Sequence, residues 1–191
     1  MQRHLFLCGL PDGDAALFKR ILGERLAEAG GYCIEPVVCG GGRAIELIPA
    51  AALGGVDGFE RSRFLDLSVS PPARDNDVFR HTAAELLRQS EYYPFSVACG
   101  LGGFELVIPE YRAALGRFLS SPLPCVGTVI SPEHAEELRA LLGLGERYSA
   151  LFRQLRTALD SAADTLTADV RALGVDRAEA LLRRWAEEYL S

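Results

Sequence analysis

The chain of 191 residues is 49% hydrophobic and 24% charged, enough for one continuous core and too short for two full-sized domains. Its 20 basic and 26 acidic residues leave a net charge of −6, which offers a polyanion such as DNA no overall attraction. No apolar run approaches the roughly 18 residues of a membrane helix, so neither nucleic acid nor a membrane is an expected partner.

Lys19 is the only lysine among the basic residues, so chemistry that requires lysine has one candidate. The five cysteines, Cys8, Cys33, Cys39, Cys99 and Cys125, are odd in number and lack C-x-x-C spacing. No basic-then-apolar signal segment opens the sequence, and thiols in a reducing, cytoplasmic compartment are expected.

Arg3 to Cys8 is an apolar run stopped by Gly9-Leu10-Pro11-Asp12-Gly13-Asp14, the pattern of a buried strand meeting a loop. Leu17, Phe18, Ile21, Leu22 and Leu26 then recur at helical spacing, and Gly30-Gly31 is the expected helix end. Tyr32 to Val38 and Arg43 to Ile48 predict an antiparallel hairpin around Cys39-Gly40-Gly41-Gly42. A strand over Phe64 to Val69 is followed by Pro71-Pro72 and a helix with Phe79, Ala83, Leu86 and Leu87 on one face. Phe95 to Cys99 predicts a short buried strand broken by Gly100, Gly102 and Gly103. Pro109 suits the first turn of a helix carrying Tyr111, Leu115, Phe118 and Leu119, and Leu123 to Ile130 is a further strand.

From Ser131 the pattern is helical to the end, with Ser131-Pro132-Glu133 as a cap and Asp176 to Glu179 as a capping box. One apolar stripe runs through Leu144, Tyr148, Leu151, Phe152, Leu155 and Leu159, another through Ala178, Leu181, Leu182, Trp185 and Tyr189. Such stripes most often pack on the parent domain; otherwise they form a homo-oligomer or partner surface. Alternating strands and helices imply crossover connections and a largely parallel sheet covered on both faces. Ligands bind at the strand C-termini of such sheets, so the site is sought among Gly9 to Asp14 and Cys99 to Gly103.

A glycine loop between a first buried strand and a helix has the layout of a phosphate-binding P-loop, where backbone N–H groups and the positive helix end hold anionic oxygens. The full motif G-x-x-x-x-G-K-[ST] adds a lysine and a Mg²⁺-binding hydroxyl. Here Gly9 to Gly13 is one residue short, Asp14 stands at the lysine position, and Ala15 and Ala16 follow.

With this loop the sequence resembles the P-loop nucleoside-triphosphatases of the cancer-related type. Gly31 to Glu35 and Gly42 to Leu47 are similar to that family's G-F-x-T-E-E-x-x-x-G-G-R-x-x-G-F hairpin. Val97-Ala-Cys-Gly-Leu-Gly-Gly-Phe-Glu-Leu106 lies in frame with its V-I-D-E-I-G-x-M-E-L, and Pro124 to Val129 with P-x-x-G-T-[VI]. The resemblance covers residues 1–142 and implies a P-loop α/β domain: a mainly parallel sheet flanked by helices with an inserted β-hairpin. Residues 143–191 are then a helical extension packed on it or on a partner.

The resemblance also implies what is missing. Cys99 falls on the Mg²⁺-supporting Asp, Gly100 on the water-activating Glu, and Glu105 keeps a later acid of the motif. With the degenerate loop Gly9, Leu10, Pro11, Asp12, Gly13, Asp14, Ala15 and Ala16, this leaves no phosphate lysine, no metal hydroxyl, no metal carboxylate and no general base. Phosphoryl transfer depends on that positioning and charge stabilisation. The expected function is therefore a degenerate relative, non-hydrolytic and regulatory or scaffolding, needing no cofactor and no metal. The alternative is a working nucleoside-triphosphatase or nucleotide binder, with Mg²⁺ and ATP or GTP, that draws charge from non-standard residues.

Asp12 and Asp14 favour the positive helix end and repel a triphosphate. Arg43, Arg61, Arg63, Arg74 and Arg80 could supply an anion site but more commonly form a solvated face, as does Lys19. Cys8 and Cys99 end strands that the resemblance makes neighbours, which raises a redox pair or soft-metal site against the commoner buried apolar thiols. His4, His81 and His134 lack ligand spacing.

Overall fold

A computed structural model describes residues 2–10, 14–39 and 42–190, with the backbone alone at Asp14 and Cys39. Pro11, Asp12 and Gly13 of the expected phosphate loop, and Gly40 and Gly41 of the expected hairpin turn, lie outside the described residues.

Strand β1 (His4–Cys8) is buried at every position, as a continuous apolar run between two covered faces requires. Helix α1 (Asp14–Leu22) turns Leu17, Phe18 and Leu22 inward and gives way to a 3₁₀ turn, Gly23–Glu28. The helix does not run to Gly30-Gly31. Both glycines lie inside β2 (Ala29–Cys39), where Gly31 has φ +83° and a Cβ on it would come within 2.0 Å of the Val97 carbonyl oxygen. Gly31 permits close approach of β6, and Gly30, where a Cβ would lie 2.7 Å from Ser90 Cα, permits close approach of the turn before that strand; neither ends a helix.

The expected hairpin is present: β2 pairs antiparallel with β3 (Gly42–Pro49) from Tyr32 opposite Pro49 to Cys39 opposite Gly42. After α2 (Ala50–Leu53), β4 (Ser62–Asp66) and the short β5 (Ala73–Arg74) extend the antiparallel side. A π-helical turn, Val78–Ala83, runs into α3 (Ala84–Gln89) and buries Phe79, Ala83 and Leu87. Then follow β6 (Phe95–Leu101), α4 (Pro109–Leu119) with Pro109 in its first turn, and β7 (Cys125–Val129). Helix α5 (Pro132–Leu141) is capped as expected by Ser131, whose Oγ accepts the His134 N–H at 3.1 Å.

The tail departs from an all-helical reading. Helix α6 (Glu146–Ser161) leads into a strand, β8 (Thr165–Asp169), which pairs in parallel with β1 from His4 opposite Thr165 to Cys8 opposite Asp169. Helices α7 (Val170–Leu173) and α8 (Val175–Tyr189) follow. The expected capping box at Asp176 to Glu179 is absent: Gly174 precedes α8, no side chain caps it, and Glu179 instead pairs with Arg20 of α1.

The eight strands form one sheet in the order β5-β4-β3-β2-β6-β7-β1-β8, parallel from β2 to β8 and antiparallel beyond β2. Side chains alternate across it. Leu5, Leu7, Cys33, Val97 and Cys99 meet Leu17, Phe18, Leu182 and Trp185 of α1 and α8 on one face. Phe6, Cys8, Tyr32 and Ala98 meet Phe79, Tyr111, Phe118, Tyr148 and Phe152 of the helices on the other. Both C-terminal stripes are thus covered by the sheet: Tyr148, Phe152, Leu155 and Leu159 on one side, Ala178, Leu182 and Trp185 on the other. The Trp185 indole N–H also donates to the Arg3 carbonyl at 2.9 Å.

Candidate functional site

The C-terminal ends of β1, β6 and β7 converge where the sequence places the loops. Gly9 leaves β1 with φ +72°, and its N–H donates to the Val129 carbonyl of β7 at 3.0 Å. A side chain at Gly9 would lie 3.4 Å from Ser131 Cβ and 4.0 Å from Arg171 Nε. Leu10 is half-buried against the α1–α8 face, while Pro11, Asp12, Gly13 and the Asp14 carboxylate lie outside the described residues. Ala15 is buried and Ala16 exposed, so neither brings a hydroxyl to the helix start; Lys19 is exposed further along α1.

Arg171 carries a charge at this edge that the sequence reading missed. It follows β8, the strand that reading did not include, and forms an ion pair of 3.0 Å with Glu133 at the start of α5. Asp169 caps α7 by accepting from the Arg171 N–H at 2.9 Å, which fixes where that residue leaves the sheet.

The end of β6 is organised by architecture rather than by metal-binding groups. Cys99 is fully buried on the α1–α8 face, its Sγ 3.2 Å from Cys33 Sγ. Gly100 has φ +70° and donates its N–H to Thr128 Oγ1 at 2.7 Å, so the Gly-Thr of the β7 motif serves this turn. Gly127 allows β7 to approach β6 closely, since a Cβ there would lie 2.0 Å from the Ala98 carbonyl oxygen. A Cβ on Gly100 would fall 2.2 Å from Ile34 Cδ1: the hairpin's side chain occupies the direction a residue 100 side chain would take.

Glu105 is the carboxylate this region retains, and it points inward. It sits in a 3₁₀ turn, Phe104–Val107, only 3% exposed, with Oε1 accepting the N–H groups of Gly102 at 2.9 Å and Gly103 at 2.8 Å. Burial pushes its carboxyl up to about 7, against the opposing pull of the N–H groups of Glu105, Gly102 and Gly103. It borders an apolar cavity of about 60 Å³ with Tyr32, Ile34, Phe79, Gly100, Phe104 and His134. Tyr148 of α6 closes the same turn by donating its hydroxyl to the Gly102 carbonyl at 2.7 Å.

The remaining candidates are dispersed. Cys8 and Cys99 are not neighbours, because β7 lies between β1 and β6 and the two thiols face opposite sides of the sheet. Burial raises the Cys8 thiol, the nearby Arg156 opposing it, and that is the wrong direction for a ready nucleophile. Arg61 and Arg63 pair with Glu35 and Glu46, Arg80 with Asp77 and Glu110, and Arg74 lies 5.8 Å over the Phe104 ring; Arg43 likewise makes an interaction. These arginines do not converge on the Gly9 edge. The three histidines are separate, and among the described residues no three metal-binding side chains cluster.

An open groove of about 470 Å³ lies between α5 and α6, lined by Glu136, Phe152, Arg153, Arg156 and Asp160. Its charges largely compensate one another, Arg156 lying 3.8 Å from Asp160 while Glu136 pairs with Arg139.

A Mg²⁺–triphosphate requires hard oxygen ligands and fixed positive charge. A soft, buried thiol at 99, a glycine at 100 and alanines at 15 and 16 do not fit that requirement. Thr128, Gly127, Gly102 and Glu105 meet at the turn that follows β6.

No protein-family model and no curated protein matches the sequence. Among solved structures, the chain is similar to THEP1 from the hyperthermophile Aquifex aeolicus, 19% identical with a TM-score of 0.50 over 82% of this chain and 99% of that one. It is also similar to a human cancer-related nucleoside triphosphatase, 21% identical with a TM-score of 0.48 over 84% of this chain and 98% of that one. No helix of the described residues is long and apolar enough to cross a membrane. The chain has a P-loop nucleoside-triphosphatase-like α/β fold, with eight strands in a mixed sheet and a largely helical C-terminal region.

Proposed function

We propose that this protein is a non-hydrolytic relative of the P-loop nucleoside-triphosphatases, retained as a regulatory or scaffolding module. The observation that carries the reading is the end of β6. Where catalysis would need a metal carboxylate and a general base, the chain has a thiol packed against another thiol and a glycine whose side-chain direction Ile34 fills. The carboxylate that remains, Glu105, is spent on two backbone N–H groups of its own turn. On this reading neither Mg²⁺ nor a nucleoside triphosphate is a required cofactor.

One observation favours the rival, a nucleotide binder with substituted charges: Arg171 brings a positive charge beside Gly9. Its pairing with Glu133 weighs against that role.

Thermal unfolding with ATP or GTP plus Mg²⁺ separates the two. The module gives no shift. A ligand at about 100 times its dissociation constant adds about 2.7 kcal/mol, which for a chain of this size raises Tm by about 5–10 °C. A saturable rise of that kind overturns the reading, and nucleotide-dependent phosphate release lost in Arg171→Ala establishes the rival.

A further inference from the structure

We propose that Cys33 and Cys99 form a reversible, peroxide-driven cross-link between β2 and β6, an oxidation site independent of the phosphate-loop edge. The two Sγ atoms lie 3.2 Å apart and both residues are fully buried. Their proximity follows from the sheet. Strands β2 and β6 pair in parallel up to Tyr32 opposite Ala98, so Cys33 and Cys99 occupy the next rung and project to the same α1–α8 face. Neighbouring strands are about 4.8 Å apart, within the roughly 4.4–6.8 Å range of Cα separations that disulfides span. Closing the sulfurs to about 2.05 Å takes about 1 Å of side-chain movement and no change of register.

Competing partners are remote. Cys8 and Cys125 belong to the opposite face. Cys39 is six residues further along β2, about 20 Å away at strand rise.

The chemistry balances with a peroxide as oxidant. One thiol attacks the peroxide oxygen, giving a sulfenic acid and one water. The second thiol attacks that sulfur, forming the S–S bond and releasing a second water, so the two thiols supply the two electrons that reduce hydrogen peroxide. Burial makes the first step slow, while a thiol already in contact captures the sulfenic acid before further oxidation. A small thiol or phosphine reductant reverses the link by attack on either sulfur.

The link has a structural meaning at this position. Cys99 immediately precedes Gly100, and Cys33 immediately precedes Ile34, the residue that covers Gly100. Joining them fixes the hairpin strand to the end of β6.

The test treats the full chain with excess hydrogen peroxide under native conditions, alkylates the remaining thiols after denaturation and maps the peptides. A Glu-specific protease cleaves after Glu35 and so separates Cys33 from Cys39. The expected product is a Cys33–Cys99 linked peptide pair, lighter by two hydrogens, restored by a phosphine and formed with the circular dichroism of the native protein intact. Cys33→Ser abolishes it. Should that variant not fold, the wild-type map alone decides. Recovery of Cys33 and Cys99 as alkylated thiols while other cysteines are oxidised overturns the proposal. So do linkage of either to another cysteine, irreversible oxidation at either, and a link that forms only in denaturant.

Discussion

Replacing Glu105 by Gln isolates the cost of holding an ionisable group in the core. The carboxyl is fully enclosed and titrates at about 7, against an ordinary value of 4.5 in the unfolded chain. That difference corresponds to about 3 kcal/mol, at about 1.4 kcal/mol for each tenfold change in proton affinity. Because the folded state holds this proton more tightly than the unfolded state, the contribution is fully present below pH 4.5. It declines as pH rises and is lost above about 7. The amide keeps an acceptor oxygen for Gly102 and Gly103 and removes the titration. Urea or thermal unfolding of both proteins at pH 5 and pH 8 should therefore give similar stabilities at pH 5. At pH 8 the variant should be more stable by up to about 3 kcal/mol, a Tm difference of about 6–12 °C. A wild-type-minus-variant difference that is the same at both pH values refutes the buried, proton-linked carboxyl.

Gly31→Ala places a Cβ against the Val97 carbonyl at a left-handed φ, and should destabilise the fold by at least about 3 kcal/mol in denaturant unfolding. Trp185→Ala removes the largest buried side chain of α8 and strands the Arg3 carbonyl; a loss of about 3–5 kcal/mol is expected, and a loss under 1 kcal/mol would show that α8 is not part of the core. Tyr148→Phe leaves the Gly102 carbonyl without its hydroxyl donor, at a cost of about 1–3 kcal/mol by the same measurement, with nucleotide response unchanged.

Most of the fold is legible in the sequence because its elements announce themselves locally. The apolar run of β1, the glycine-flanked hairpin, Pro109 opening α4 and Ser131 capping α5 each carry a signal within a few residues. What the sequence hides is settled by contacts far along the chain. Thr165–Asp169 is five residues in which Leu166 and Ala168 alternate with polar neighbours, too short a period-two pattern to stand out between two helices; pairing with the edge of β1 makes it a strand. Gly30-Gly31 has the composition of a helix stop, but the close approach of Val97 to Gly31 gives it another purpose. At the candidate site, the residue types at positions 14, 99 and 100 are readable in the sequence, whereas their surroundings are not. Nothing in the order of residues places Ile34 over Gly100, Cys33 against Cys99 or Arg171 beside Gly9, because each contact joins segments far apart in the chain.

The position of β1 has a consequence for how the protein is made. Its two neighbours, β7 and β8, begin at Cys125 and Thr165, so β1 finds neither partner until more than a hundred further residues have been synthesised after it. At about 5–20 residues per second that interval is on the order of ten seconds, during which Leu5, Phe6 and Leu7 have both backbone edges unsatisfied. Pairing of β1 is therefore a late, long-range closure. A nascent chain halted before β7 is an aggregation hazard, whatever the stability of the finished protein.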